Sequence, residues 1–81
     1  MLITVKFFAG YRDLVKTDKL ELDLPDKTTG EELLGYLIKR CPPLERIKTI
    51  ARLAVNLEFK PMNSVLSDKD EVVFIAPVCG G

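Results

Sequence analysis

Residues 20–40 decide the fold, and they read LELDLPDKTTGEELLGYLIKR. In the first five positions leucines alternate with acidic residues, which is the period of a half-buried strand. The turn residues Pro25-Asp26 follow. A Thr-x-x-Glu pair that fits the capping box then occurs twice, as Thr28–Glu31 and Thr29–Glu32. The sequence therefore predicts a strand that passes through a turn into a capped helix.

The predicted helix runs to about Arg40. Its apolar residues recur at the three- and four-residue spacing of one helical face; they are Leu33, Leu34, Leu37, Ile38 and Cys41. Pro42-Pro43 ends the helix, because proline has no N–H to donate and disfavours helical conformation in the residue before it. A short helical connector is expected next, with its apolar residues three apart: Leu44, Ile47 and Ile50.

Further strands flank this unit. Alternating or β-rich runs predict strands at residues 2–8, 53–58 and 71–76, a loop with room for one very short strand at 59–66, and one or two helical turns at 9–15. The order ββαββ predicts an α+β fold in which a mixed sheet of four to five strands packs on one main helix and leaves its other face largely open. A ferredoxin-like split βαβ fold would need a second long helix. We expect a body at residues 1–76 and a flexible tail at 77–81.

Composition limits the function. The 81 residues suffice for one domain, and 12 Lys+Arg balance 12 Asp+Glu, so no net charge attracts nucleic acid or an anionic membrane. No apolar run approaches the ~18 residues that span a bilayer, and we expect a cytoplasmic protein. The absence of histidine removes the commonest general base and metal ligand, and two cysteines cannot complete a four-ligand metal site.

Two features could carry function. The first is an apolar patch on the open face of the sheet, formed by Phe8, Phe59 and Ile75 with Arg12 at its rim. The alternative is that these are ordinary exposed apolar side chains, with Phe8 tucked under the segment that follows it.

The second feature is the ending, residues 77–81, PVCGG. A chance Gly-Gly ending occurs in roughly 0.5% of chains, although a frayed tail is the ordinary interpretation. Five residues can project about 16 Å, and glycines without Cβ can thread a narrow channel. The carboxylate of Gly81 would then be the reactive group, activated by a partner as an acyl-adenylate and converted to a thiocarboxylate.

Three segments resemble the family of small, sulfur-carrier subunits of molybdopterin synthase: residues 7–14 (FFAGYRDL), 53–56 (LAVN) and 70–81 (DEVVFIAPVCGG). The resemblance runs from Met1 to Gly81 and implies a ubiquitin-like β-grasp fold. It implies a partner-binding set of Phe8, Arg12, Phe59, Ile75, Pro77 and Val78, with Gly80 threading the channel and Gly81 as the reactive residue.

The resemblance also implies the chemistry. A ubiquitin-activating-like adenylyltransferase would form a transient glycyl-adenylate on Gly81, which becomes a 1-thioglycine, and no cofactor is bound. The synthase large subunit, in a heterotetramer of two small and two large subunits, would hold the catalytic site where sulfur passes to a cyclic pterin phosphate. No nucleic acid or membrane partner is implied.

The chain departs from the family pattern in its tail. Ala76 replaces the first of two prolines, Cys79 replaces a serine or threonine, and the turn at residues 68–70 lacks glycine. None of these changes removes a group that the chemistry requires. Two alternatives remain: a related carrier for thiamine thiazole or tRNA thiolation, and a ubiquitin-like protein modifier.

Overall fold

The computed structural model describes residues 1–6 and 19–75. Its elements, in chain order, are β1 (Leu2–Lys6), β2 (Lys19–Asp23), α1 (Gly30–Arg40), a 3₁₀ helix (Pro42–Ile47), β3 (Arg52–Val55), β4 (Glu58–Lys60) and β5 (Glu71–Ile75). The predicted mixed sheet packed on one main helix is confirmed for these residues. The helical turns predicted at 9–15 lie outside them. Within the described part of the chain, no helix is long and apolar enough to cross a membrane.

The five strands form one sheet in the order β2-β1-β5-β3-β4. β1 and β5 are parallel, and the other neighbouring pairs are antiparallel. The last strand in the sequence is therefore the central strand in space. The segment that follows Ile75 starts at the end of this central strand.

The capping box of α1 is formed by Thr29 and Glu32. The backbone N–H of Glu32 donates to Thr29 Oγ1 at 3.2 Å, and the backbone N–H of Thr29 donates to Glu32 Oε1 at 3.0 Å. At the other end, the N–H of Cys41 donates to the carbonyl of Leu37 at 2.8 Å, and Pro42 follows. The sequence predicted both ends of the helix, and the structure selects the second of the two candidate threonines.

The core lies between the sheet and the layer of α1 and the 3₁₀ helix. Its most completely buried side chains are Ile3, Val5, Leu33, Leu53 and Val72. α1 lies close to the sheet at Gly30, where an added Cβ would be 2.5 Å from Leu53 Cδ2. No polar or charged residue of the described segments is buried, so apolar packing holds the two layers together.

Two boundary predictions were wrong. Strand β3 ends at Val55 and not at residue 58, because Asn56 and Leu57 have φ of 51° and 68° and form a two-residue turn. Positive φ at both central residues is typical of the type I′ hairpin. Ile50 lies beyond the end of the 3₁₀ helix and is 47% exposed. Ile50 continues the three-residue spacing of Leu44 and Ile47, but the helix does not extend far enough to bury it.

Candidate functional site

The sheet face opposite α1 is defined by one row of paired residues. Lys6 is paired with Val73, Val73 with Ala54, and Ala54 with Phe59, so the row crosses β1, β5, β3 and β4. Directly paired residues point to the same side of a sheet. Val73 and Ala54 are absent from the core that faces α1. The row therefore lies on the face where the sequence predicted a docking patch.

The middle of this face is not open, contrary to the prediction. Val73 is 6% exposed and Ala54 is 8% exposed. Both occupy the central strands, and larger side chains flank them: Lys6 beside Val73, and Phe59 beside Ala54. Cross-strand neighbours lie about 5 Å apart and cover one another. Exposed apolar surface is found instead at the edge of the face, where Phe59 is 64% exposed.

The structure places two of the predicted site residues. Ile75 is paired with Arg52, and Phe59 is paired with Ala54 two residues further along β3, so Ile75 and Phe59 share this face. From strand spacing and rise, their Cα atoms are about 12 Å apart. Ile75 is half-buried. The other predicted site residues lie outside the described residues; they are Phe8, Arg12, Pro77, Val78, Gly80 and Gly81.

The strand that leads to the tail is held on both sides. β5 is hydrogen-bonded to β1 and to β3. Lys6 Nζ forms an ion pair with Glu71 Oε2 at 3.3 Å, which joins β1 to β5. At the start of β5, the N–H of Glu71 donates to Asn56 Oδ1 at 2.9 Å. The C-terminal end of the described residues is therefore fixed in position relative to the sheet face that carries Phe59 and Ile75.

Asn56 joins the β3–β4 turn to the turn before β5. Its side-chain Nδ2 donates to Asp70 Oδ1 at 2.9 Å, and Asp70 Oδ2 accepts from the N–H of Ser67 at 2.8 Å. A left-handed backbone at this position suits asparagine better than most residues. Asn56 thus acts as a positioning residue for the start of the central strand.

Sequence reasoning missed a second feature at the end of the sheet where β5 terminates. An open groove of about 380 Å³ lies there, lined by Ala51, Arg52, Leu53, Phe59, Lys60, Pro61 and Met62. The exposed side chain of Arg52 shares the face of Phe59, whereas Lys60 is paired with the core residue Leu53 and starts on the α1 side. Local sequence patterns could not indicate this groove, because it depends on which residues of β3, β4 and β5 are paired.

The described residues offer no obvious metal centre. In segments 1–6 and 19–75, no three cysteine, aspartate or glutamate side chains are grouped so that they could hold an ion. The sheet face opposite α1 offers apolar contact through Phe59 and Ile75 and cationic contact through Arg52.

Comparison with known proteins gives a consistent result over the full length. The model of the ThiS family matches residues 5–81. The molybdopterin synthase sulfur carrier subunit of Escherichia coli is 38% identical over 99% of this chain and 100% of that protein. The protein of the same description from Arabidopsis thaliana is 32% identical over 98% of this chain and 82% of that protein.

Solved structures share the fold. SAMP1 from Haloferax volcanii superposes with a TM-score of 0.85 at 21% identity, with both chains covered completely. A chain of the complex of subunits 1 and 2 of molybdopterin-converting factor from Helicobacter pylori superposes with a TM-score of 0.66 at 24% identity, again with both chains covered completely. The sheet and helix described above are thus those of the ubiquitin-like β-grasp. By its full-length match and its relatives, the chain belongs to the ThiS family, together with the molybdopterin synthase sulfur carrier subunits.

Proposed function

We propose that this protein is the sulfur carrier subunit of molybdopterin synthase. The observation that carries the proposal is the full-length similarity to such carriers, which extends through the two final glycines. The geometry agrees with it, because the residues that lead to the tail form the central strand of the sheet. A carrier needs a rigid body that docks and a tail that reaches a recessed site.

The reactive group is the carboxylate of Gly81. One of its oxygens attacks the α-phosphorus of ATP in an adenylyltransferase, which forms the glycyl-adenylate and releases pyrophosphate. A sulfur donor at the sulfide level attacks the acyl carbon and AMP leaves, so Gly81 becomes a 1-thioglycine. The thiocarboxylate sulfur then bonds to a cyclic pterin phosphate, and water hydrolyses the acyl–sulfur bond, which leaves the sulfur on the pterin and returns Gly81 to a carboxylate. No bound cofactor is required on this chain.

The tail's composition suits this task. Residues 77–81 can extend about 16 Å from the end of β5. Gly80 lacks a Cβ and can pass a narrow part of the channel. Catalysis then takes place in the large subunit, and this chain is the donor and not the enzyme.

Docking uses the face that carries Phe59 and Ile75. We assign Phe8, Pro77 and Val78 to the same apolar contact and Arg12 to its rim. The large subunit and the adenylyltransferase would both bind there, which makes the two complexes mutually exclusive. The Helicobacter pylori complex of subunits 1 and 2 supports a large-subunit partner. We propose a heterotetramer of two small and two large subunits in the cytoplasm.

The test is reconstitution with purified large subunit, adenylyltransferase, ATP and a sulfur donor. The wild-type chain should gain the mass of one oxygen-to-sulfur exchange on its last peptide and then form molybdopterin. A variant with one alanine added after Gly81 should do neither and should melt at the wild-type temperature, because the added residue lies beyond the elements that form the core of the described residues. Molybdopterin formation by the extended chain, without trimming, would contradict the proposal.

The same experiment separates the alternatives. A carrier for thiazole or tRNA thiolation would form the thiocarboxylate yet give no molybdopterin with the large subunit. A ubiquitin-like modifier would instead appear in isopeptide linkage to lysine residues. Either result would replace the proposed function while leaving the role of Gly81 intact.

A further inference from the structure

Basic and acidic residues lie at opposite ends of the sheet. At the end where β5 terminates, each of the other four strands carries a basic residue at its terminus: Lys6 in β1, Lys19 in β2, Arg52 in β3 and Lys60 in β4. The strand pairing brings all four to the same end of the sheet, because Lys6 lies opposite Lys19, Arg52 opposite Ile75, and Lys60 opposite Leu53.

The opposite end of the sheet is acidic. Asp23 ends β2, Glu58 begins β4 and Glu71 begins β5, and the turn before β5 contains Asp68 and Asp70. The chain has zero formal net charge. Its sheet nevertheless has a positive end and a negative end, and the tail leaves from the positive one.

Two of these cations flank the root of the tail. Lys6 and Arg52 belong to the strands on either side of β5, and their pairing with Val73 and Ile75 puts both on the docking face. Their Cα atoms are about 12 Å apart, from strand spacing and rise. Arg52 is exposed and forms no ion pair with any carboxylate of the described residues. Its charge is therefore available to a partner.

Lys60 lies at the same end of the sheet but its side chain starts on the other face. It is paired with the core residue Leu53, so it points to the α1 side, and its ammonium contacts Glu58 at 3.2 Å. The Lys6 ammonium likewise contacts Glu71 at 3.3 Å. Both pairs are partly exposed, where an ion pair is weak and easily exchanged. A surface that fits the face of Phe59 and Arg52 presents an apolar side chain to Phe59 and carboxylates to Arg52 and Lys6.

The tail itself supplies the opposite charge. Its last residue ends in a carboxylate, or in a thiocarboxylate after activation, and both are anions at neutral pH. The chain is thus basic at the root of the tail and acidic at its tip. A channel that receives this tail together with a pterin phosphate needs a positive interior. The complement of the basic root is then a ring of carboxylates at the channel mouth.

We propose that Arg52 and Lys6, on either side of the root of the tail, form a basic collar that binds carboxylates around the opening through which the synthase large subunit receives the tail. The inference rests on the proposed function and adds the chemistry of the partner's surface. The collar orients the approaching carrier, so that the tail points into the opening before the apolar contacts form. Rim charges of this kind act mainly on the association rate and its dependence on salt.

The test is the association rate with purified large subunit, measured by stopped flow. Arg52→Glu should lower this rate about tenfold in roughly 0.01 M salt, where the Debye length is about 30 Å. The difference should vanish near 1 M salt, where the Debye length is about 3 Å. The association rate of Arg52→Gln should lie between those of the wild type and Arg52→Glu. Because Arg52 is exposed, circular dichroism and the melting temperature should show an intact fold.

Lys27→Glu is the matched control. Lys27 is exposed, follows β2 at the acidic end of the sheet, and gives the same change in net charge from zero to −2. It should associate at the wild-type rate. Equal association rates for Arg52→Glu and Lys27→Glu in low salt would overturn the proposal of a basic collar. A normal rate with a raised KM for the pterin phosphate would overturn it too, because the cations would then bind the substrate. Molybdopterin formation by the wild-type chain tests the proposed function separately.

Discussion

Replacing Phe59 by aspartate separates docking from folding. The side chain lies on edge strand β4, beside Ala54 on the face opposite α1, and is 64% exposed. It is the one predicted contact residue that the structure shows to be both aromatic and largely exposed. The substitution removes the ring and introduces a charge at a position that water can reach.

The expected effect on folding is small. Complete burial of a phenylalanine side chain contributes up to about 3 kcal/mol, and the body of this protein covers only about a third of Phe59. The loss in the free energy of unfolding should therefore be about 1 kcal/mol. For a domain of this size that lowers the melting temperature by about 4–8 °C.

The expected effect on docking is larger. If the partner covers the exposed two thirds of the ring, about 2 kcal/mol of apolar burial is lost, which raises the Kd about 30-fold. Burying the new carboxylate against an apolar partner adds to this penalty. We expect the Kd values for the large subunit and for the adenylyltransferase to rise together.

Leu57→Asp is the control. Leu57 lies in the turn of the same hairpin, is 91% exposed, and has a left-handed φ of 68° that aspartate tolerates better than leucine. It should keep wild-type affinity and stability. Calorimetric titration and thermal melting measure the two quantities. Unchanged affinity of Phe59→Asp for both partners would refute the docking face, and a fall of more than about 15 °C would show that Phe59 supports the fold.

Two further predictions concern stability. Asn56→Ala removes the side chain that bonds the N–H of Glu71 and the carboxylate of Asp70, and it places alanine at positive φ; urea denaturation should show a loss of about 2–3 kcal/mol, and an unchanged value would contradict the role of Asn56. Gly35→Ala adds a methyl group with nothing within 4 Å and should stabilise α1 by about 0.5–1 kcal/mol. Gly30→Ala should instead cost about 1–3 kcal/mol against Leu53, and equal effects in the two glycine variants would contradict the close approach.

Local patterns predicted the elements well. The capping box marked the start of α1, and Pro42-Pro43 marked its end, because both act within a few residues of the chain. Alternation predicted strands β1 and β2, and a β-rich run predicted β5, for the same reason. The boundary of β3 was missed because Leu57 continues the alternation although its backbone is in a turn.

Pairing could not be predicted from local patterns. Nothing near Arg52 in the sequence indicates that it lies opposite Ile75, 23 positions later. The basic end of the sheet, the groove and the burial of Val73 all depend on this pairing. Only the family resemblance, which implied the β-grasp fold, carried information about contacts between distant segments. The exposed face was therefore predicted in the right place, but its buried centre and its cations were not.

Under the proposed function, the central position of β5 lets a short tail deliver a group accurately. Val72, Val73 and Phe74 are all at least 94% buried, so this strand is covered on both faces as well as paired on both edges. Displacing it would expose apolar surface on both sides and break two ladders of hydrogen bonds. Docking of the body therefore fixes where residue 75 lies in the complex. The position of Gly81 then depends only on the few residues after β5, and their small number limits the conformational entropy that is lost when they become ordered. If the tail were attached to an edge strand or to a loop, the motion of that element would make the position of the Gly81 carboxylate less well defined.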